Sequence, residues 1–174
     1  TAGSTTGSSL RSRQPHAAPC STRTACAGSG RVPTACLSLL APESAQSLMV
    51  DGTLGEGGHT EAFLTAYPEL RVIGVDADAR IQARARERLS PFGDRVIFHL
   101  GWSDAFFRDY PSDGKKPDII LLDLGISLFH YEKSGRGFSF RSDEPLDMRL
   151  DPNSGESAAD IVNTMAPRDL ARIL

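Results

Sequence analysis

The sequence predicts an α/β domain built on a parallel sheet. Short apolar, β-rich runs alternate with helical patterns of about ten residues, which indicates βαβ units. Each run is followed by an acidic residue or a glycine, as is common where α/β sheets bind ligands. Of the 174 residues, 40% are hydrophobic, which is enough for the core of one domain. No apolar stretch approaches the roughly 20 residues that a membrane-spanning helix needs.

Four strands follow from this pattern, and helices separate the first three of them. The strands are predicted at Ser47–Val50, Arg71–Val75, Arg95–Leu100 and Asp118–Leu122, and the helices at Thr60–Tyr67 and Ala79–Leu89. In the second helix, apolar side chains recur on one face and arginines occupy the others. The fourth strand is apolar after its first residue, which is typical of a strand buried on both faces.

The C-terminal part has a different pattern. Leu124–Pro145 is punctuated by glycine, serine and aspartate and is predicted to be a loop. Two helices are predicted after it, at Glu156–Met165 and from Pro167 onward, since proline is favoured at a first helical position. The chain therefore divides into a leader, the N-terminal part of a sheet domain and a helical segment, with bounds 1–35, 36–135 and 136–174.

The leader has a composition unlike the rest of the chain. Residues 1–42 contain no acid and four arginines, whereas all 22 acids lie from Glu43 onward. Large apolar residues are nearly absent from 1–34, so burial cannot offset the entropy of ordering. We predict that 1–35 is a disordered or non-native leader; a transit peptide is the alternative. The three cysteines have no CxxC spacing or histidine partner, so no metal site is predicted.

A glycine-rich turn follows the first predicted strand and reads Asp51-Gly-Thr-Leu-Gly-Glu-Gly-Gly-His-Thr60. Glycines let the backbone approach a ligand closely, and the following helix offers free N–H groups to an anion. A tight turn without a ligand is the alternative. Thr60 stands where the dinucleotide-binding fingerprint requires its third glycine. We expect Asp51 to help hold the amino-acid end of a ligand, because an ammonium group needs an acceptor.

Acidic and aromatic side chains follow the other strands. Asp76 is predicted to accept the hydroxyls of a ribose, the alternative being a helix cap, a role that we assign to Asp78. Trp102, the only tryptophan, is predicted to stack on adenine, the alternative being a core aromatic. Asp123 follows the fourth strand and is placed to act on a substrate held over a cofactor. Together these strand ends predict an adenosine-binding pocket.

Two cofactors fit such a pocket, NAD and S-adenosylmethionine. The missing third glycine and the acid Asp51 favour S-adenosylmethionine. An NAD-dependent oxidoreductase is the alternative that the residues alone leave open.

Five segments together resemble the RsmH (MraW) methyltransferase family. They are Asp51–Thr60, Gly74–Asp78 (Gly-Val-Asp-Ala-Asp), Asp123–Ser127 (Asp-Leu-Gly-Ile-Ser), Arg136–Phe140 (Arg-Gly-Phe-Ser-Phe) and Pro145–Arg149 (Pro-Leu-Asp-Met-Arg). The resemblance covers about Cys36 to Leu174. It implies a Rossmann-like class I methyltransferase fold, of which the first four strands are present, and the start of an inserted helical domain for substrate recognition.

The same resemblance implies a reaction and its partners. The family transfers a methyl group from S-adenosylmethionine to N4 of a cytosine in bacterial small-subunit ribosomal RNA. The implied partner is that RNA or the assembled small subunit, and the implied location is the cytoplasm. A homodimer is expected at full length.

The site residues also follow from the resemblance. The implied cofactor contacts map to Gly57, Gly58, His59, Asp76, Trp102, Asp123 and His130. Trp102 replaces a commoner phenylalanine, and His130 replaces a usual glutamine, so a surface loop histidine is the alternative there. We assign the catalytic role to Asp123, which is expected to accept hydrogen bonds from the reacting amine.

The last segments of the match are expected to contact RNA. The side chains predicted to grip single-stranded RNA by phosphate pairing and stacking are Arg136, Arg141, Arg149, Phe138 and Phe140. A solvated loop packed by two phenylalanines is the alternative. The family's opening His-x-Pro-Val motif is absent and its members are longer, so we expect a fragment. A truncated, inactive piece that still binds adenosine ligands is the alternative function.

Overall fold

A computed structural model describes residues 37, 39–44 and 46–174 of the chain. The predicted leader and the three cysteines lie outside the described residues. The elements are β1 (Leu48–Asp51), α1 (Gly58–Ala66), β2 (Arg71–Asp76), α2 (Ala79–Leu89), a 3₁₀ segment (Ser90–Arg95), β3 (Val96–Leu100), α3 (Ser103–Arg108), β4 (Ile119–Leu121), α4 (Leu128–Glu132), α5 (Ala158–Thr164) and α6 (Pro167–Ile173).

The four strands form one parallel sheet in the order β3-β2-β1-β4. In register, Val50 of β1 lies opposite Ile73 of β2 and Ile120 of β4. The order reverses at β1, because β2 and β3 extend on one side of it and β4 on the other. Such a switch point opens a crevice beyond the carboxyl ends of the strands. The predicted Rossmann-like parallel sheet is therefore confirmed.

The core lies between one face of the sheet and the first two helices. Met49 and Val72 of the sheet are fully buried in one cluster with Phe63 of α1 and Leu89 of α2. On the opposite face, Ile120 is 50% exposed. The buried face anchors α1 and α2, and so fixes the loops that connect them to the strands.

The starts of these helices have specific causes. Asp78 is the N-cap of α2 and accepts a 2.9 Å hydrogen bond from the Arg80 N–H, as predicted. Helix α1 begins at Gly58, two residues before the predicted Thr60. It follows Gly57, whose φ of 79° suits glycine. A Cβ on Gly57 would lie 3.0 Å from Leu89, so the start of α1 packs closely on α2.

The C-terminal part follows the predictions less closely. Helix α6 begins at Pro167 as predicted, and α5 lies inside the predicted helix at Glu156–Met165. The predicted loop Leu124–Pro145, however, contains the five-residue helix α4. Such a helix is too short for apolar periodicity to reveal it. None of the helices in the part of the chain that the structure describes is long and apolar enough to cross a bilayer.

Candidate functional site

A cleft of about 450 Å³ lies at the carboxyl edge of the sheet. The glycine-rich loop after β1 and the segments after β2, β3 and β4 form its walls. Six of the seven predicted cofactor contacts line it, namely Gly58, His59, Asp76, Trp102, Asp123 and His130. Gly57 is not among the lining residues; it serves as the turn that starts α1.

The glycine-rich loop is held on β2. The Leu54 N–H donates to the Val75 carbonyl at 3.0 Å, and the Gly55 N–H donates to Asp76 Oδ2 at 2.8 Å. A Cβ on Gly74 would lie 2.8 Å from both terminal methyl groups of Leu54. The close approach of this loop to β2 therefore requires a glycine in the strand, which the sequence did not reveal.

Asp76 has two structural partners and spare capacity. Besides the Gly55 N–H, its carboxylate accepts a 2.9 Å hydrogen bond from the Asp78 N–H at Oδ1. Burial raises the pKa of Asp76, and these two hydrogen bonds oppose the rise. Each carboxylate oxygen has a second lone pair, so Asp76 can still accept hydrogen bonds from a ligand in the cleft. The alternative that Asp76 caps α2 is excluded, because Asp78 does so.

Asp51 does not face the cleft, so the expectation that it holds an ammonium group is wrong. Its side chain is 1% exposed. Its carboxylate accepts hydrogen bonds from the Thr60 hydroxyl at 2.7 Å and from the Thr53 N–H at 3.2 Å. Burial raises the pKa of Asp51. Asp51 thus supports the loop from beneath by joining its first residues to helix α1.

Trp102 lies at the mouth of the cleft rather than in the core. Its side chain is 50% exposed. It occupies the N-cap position of α3, and its carbonyl accepts the Phe106 N–H at 3.0 Å. Because the half-exposed side chain also lines the cleft, a ligand in the cleft can reach it, as the prediction of adenine stacking requires.

Asp123 lies opposite the glycine-rich loop. Its backbone N–H donates to Thr53 Oγ1 at 2.8 Å, which ties the end of β4 to the loop after β1. Within residues 37, 39–44 and 46–174, the exposed Asp123 carboxylate has no hydrogen bond or ion pair. It is therefore free to bind a ligand. The tie through Thr53 was missed by the sequence analysis.

His130 is buried, so the alternative of a surface loop histidine is wrong. Its side chain is 5% exposed, and its Nδ1 accepts the Ser127 N–H at 3.2 Å. That bond leaves the proton on Nε2, which donates to Asp78 Oδ2 at 3.1 Å. Both ring nitrogens have hydrogen-bond partners within the protein. His130 therefore lines the cleft without offering it a free hydrogen-bond donor.

The predicted RNA contacts divide into two groups. Arg136 is buried, pairs with Asp78 and donates to the Arg149 and Leu150 carbonyls at 2.7 and 2.8 Å. The prediction that Arg136 grips RNA is therefore wrong. Burial acts to raise the pKa of Asp78, but hydrogen bonds from Arg136 and the Arg80 backbone and the Arg136 charge lower it below its ordinary value.

The other four predicted RNA contacts differ in whether their side chains are engaged within the protein or exposed. Arg149 pairs with Asp147 at 2.7 Å, and Phe138 packs against the His130 ring at a centroid distance of 5.3 Å. Phe140 is fully exposed and Arg141 is exposed. Phe140 and Arg141 thus remain available for contact with a polymer.

No cluster of three or more His, Cys, Asp or Glu side chains in the described part of the chain is arranged to hold a metal ion. The polar groups that line the cleft are backbone amides, carboxylates, hydroxyls and the side chains of His59, Arg88 and His130, and the Trp102 ring lies beside them. These groups suit an organic ligand that carries hydroxyls and a flat base.

A family profile and individual relatives of known name indicate the same protein family. The profile of the MraW methylase family matches residues 32–174. The chain is 66% identical over 139 residues to the ribosomal RNA small subunit methyltransferase H of Treponema denticola, covering 80% of this chain and 44% of that protein. It is 50% identical over 128 residues to the protein of the same name from Borrelia turicatae, covering 73% and 43%. The chain thus spans less than half the length of these relatives.

A solved structure, the C-terminal domain of precorrin-6Y C5,15-methyltransferase from Rhodobacter capsulatus, is similar at a TM-score of 0.42 and 22% identity. That similarity covers 53% of this chain and 47% of that one. The assignment rests instead on the profile match and on the identity to the curated relatives: the chain belongs to the MraW methylase family.

Proposed function

We propose that this chain is the cofactor-binding part of an S-adenosylmethionine-dependent methyltransferase that modifies small-subunit ribosomal RNA. The observation that carries the proposal is the cleft at the switch point of the sheet, which is lined by Asp76, Trp102 and Asp123. The two carboxylates have lone pairs left for a ligand, and the Trp102 side chain is half-exposed. The names of the curated relatives support the same class of substrate. Membership of a methylase family disfavours the alternative function of an NAD-dependent oxidoreductase.

The cleft fits the cofactor by the chemistry of its lining. Its volume of about 450 Å³ lies in the usual range for small-molecule sites. Asp76 would accept the ribose hydroxyls, and Trp102 would stack on the adenine. The amides of Gly58 and His59 at the start of α1 would bind the carboxylate of the methionine moiety. When bound, S-adenosylmethionine supplies an electrophilic methyl group on its sulfonium.

For the acceptor we propose N4 of a cytosine. That amine is a weak nucleophile, since its lone pair is delocalised into the ring. The enzyme must hold the amine in line with the methyl group and accept its hydrogen bonds as positive charge develops. Asp123 suits this role, because its exposed carboxylate has no partner within residues 37, 39–44 and 46–174. The target base would leave its stack to enter the cleft, and Phe140 and Arg141 would bind the flanking RNA.

We propose the same division of labour along the chain as the sequence predicts. Residues 36–135 carry the cofactor cleft apart from Leu150, which also lines it, and residues 136–174 begin a helical part for substrate recognition. The RNA alone or the assembled small subunit would be the substrate. The cytoplasmic location and the homodimer stay predictions.

Calorimetric titration of this chain with S-adenosylmethionine, and with NAD as control, tests the cofactor. We expect binding of S-adenosylmethionine with a stoichiometry of one and no heat from NAD. Binding of NAD instead, or of neither, would contradict the proposed cleft. The adenosine-binding but inactive fragment is distinguished by adding small-subunit RNA and measuring methyl incorporation.

The catalytic role is tested in a version that has the length of the curated relatives. Asp123→Ala is expected to abolish methyl transfer to RNA, and Asp123→Asn to lower it strongly, because neither presents an anionic acceptor. Asp113→Ala is the matched control, since Asp113 is exposed, does not line the cleft and has no side-chain hydrogen bond or ion pair within residues 37, 39–44 and 46–174. Normal turnover in Asp123→Ala would remove Asp123 from the mechanism.

A further inference from the structure

One buried carboxylate joins three parts of the chain that are distant in sequence. Asp78 is 1% exposed and accepts hydrogen bonds from the Arg80 N–H, from His130 Nε2 and from the Arg136 guanidinium. His130 and Arg136 are 52 and 58 residues away along the chain. The turn between β2 and α2, the helix α4 and the segment after it therefore meet at one side chain.

Each arm of this network ends at a wall of the cleft. The Asp78 N–H donates to Asp76 Oδ1 at 2.9 Å. His130 Nδ1 accepts the Ser127 N–H at 3.2 Å and lies 3.1 Å from Ser127 Oγ. Arg136 donates to the Leu150 carbonyl at 2.8 Å. Asp76, Ser127 and Leu150 all line the cleft.

We infer that Asp78, His130 and Arg136 are positioning residues that couple the cofactor cleft to the segment 136–150. The inference rests on the proposed function and deepens it, because this segment contains Phe140 and Arg141, the residues that we propose contact RNA. His130 then acts through Asp78 and Ser127, and not as a hydrogen-bonding ligand of the cofactor.

The chemistry of the network favours positioning over simple stabilisation. A buried ion pair adds little net stability over apolar packing, since desolvation offsets the attraction. Directional hydrogen bonds, in contrast, fix geometry. Arg136 uses its planar fork on one carboxylate and two carbonyls. The Ser127 N–H and the Asp78 carboxylate hold His130 in one tautomer. Arg136 Nε is buried with no hydrogen-bond partner in the described part of the chain. A buried donor without an acceptor costs free energy of folding. This cost is explained if the position of Arg136 matters more than a hydrogen bond for each of its donors.

The first test uses hydrogen exchange on the chain without ligand, so that it does not depend on the proposed function. The substitution Arg136→Met removes the cation that pairs with Asp78 and leaves the side chains of His130 and Ser127 unaltered. We expect the Ser127 amide to exchange about tenfold faster, because His130 loses its fixed anchor. The Met148 amide, which donates to the Arg136 carbonyl at 2.8 Å, should exchange faster as well. An unchanged Ser127 amide in a folded Arg136→Met variant would overturn the coupling.

Arg136→Lys keeps the test decisive if Arg136→Met does not fold. Lysine retains a cation for Asp78 but lacks the fork that also reaches the Arg149 and Leu150 carbonyls. We expect faster exchange at Met148 with Ser127 close to wild type. Faster exchange at both positions, or at neither, would contradict the separate arms of the network.

The second test measures the affinity for S-adenosylmethionine in two variants at His130. Glutamine both accepts and donates, so His130→Gln should keep the affinity within about threefold, whereas His130→Leu should lower it about tenfold. The two variants should differ less in cooperative unfolding than in affinity. Equal losses in both variants would show that the histidine ring binds the cofactor directly. A wild-type chain that does not bind at all would refute the proposed function while leaving the exchange test intact.

Discussion

The Gly55 N–H donates a 2.8 Å hydrogen bond to Asp76 Oδ2, so the acid that follows β2 also holds the glycine-rich loop that follows β1. One carboxylate thereby shapes the loop and faces the cleft that the loop encloses. Because the bond crosses from one strand end to the next, the sheet itself sets the distance between the loop and the acid. Loss of the carboxylate should therefore affect both the loop and any ligand.

Asp76→Ala tests this double role. In the free chain we expect faster hydrogen exchange at the Gly55 amide, which loses its acceptor. The affinity for S-adenosylmethionine should fall at least about tenfold, since the ribose acceptor is lost as well. Asp113→Ala should change neither quantity, since the Asp113 side chain is exposed and lies outside the cleft. Faster exchange at Gly55 with unchanged affinity would separate the loop from the ligand and contradict the ribose assignment.

The sequence predicted the sheet well because its signals are local. Each of the four strands lies within the predicted run or one residue from it, and helix α2 has the predicted bounds Ala79–Leu89. Buried apolar runs, the cap at Asp78 and the proline at the start of α6 all act on their own segment of chain. Asp76, Trp102 and Asp123 were found for the same reason, since each lies within two residues of the end of a predicted strand, whereas His130 followed only from the family resemblance.

The sequence could not predict contacts between distant segments. Asp78 was recognised as a cap, but its pairing with Arg136 depends on tertiary folding across 58 residues. Arg136 was therefore predicted to contact RNA, because nothing in its own segment of chain shows that a buried acid pairs with it. Helix α4 was missed because its start depends on reciprocal hydrogen bonds between Ser127 and His130. Both failures concern the same network.

Gly74→Ala should destabilise the fold by about 1–3 kcal/mol, because overpacking in a well-packed core costs about that much. An added Cβ would lie 2.8 Å from two methyl groups of Leu54, whose side chain is 3% exposed. Urea unfolding of the chain measures the effect. Gly125→Ala is the matched control, since its Cβ would meet no atom within 4 Å. Equal stability of Gly74→Ala and wild type would mean that the loop does not pack on β2 this closely.

Arg95→Met should lower the free energy of unfolding by at least about 2 kcal/mol, since one hydrogen bond to a charged group contributes about that amount and several are lost together. The guanidinium donates to the carbonyls of Leu64 and Tyr67, both at 3.2 Å, and of Pro68 at 2.6 Å. These carbonyls lie at the end of α1, where the helix leaves acceptors unpaired. Chemical denaturation measures the loss. Arg141→Met should be neutral because Arg141 is exposed, and equal stability of both variants would contradict the capping role.

The pair of Asp147 and Arg149 predicts a pH dependence of stability with a defined sign. The hydrogen bond from Arg149 lowers the pKa of Asp147 from 3.8 to about 2. Between these values the unfolded chain binds more protons than the folded chain, so stability rises with pH across this window. The contribution is complete above about pH 4 and is lost as the pH falls toward 2.

Asp147→Asn removes this contribution, so the difference in melting temperature between wild type and variant should be positive at pH 6 and should vanish near pH 2. Thermal melts followed by circular dichroism at pH 6, 4, 3 and 2 measure this difference. A difference that persists unchanged at pH 2 would show that Asp147 acts through packing rather than through its charge.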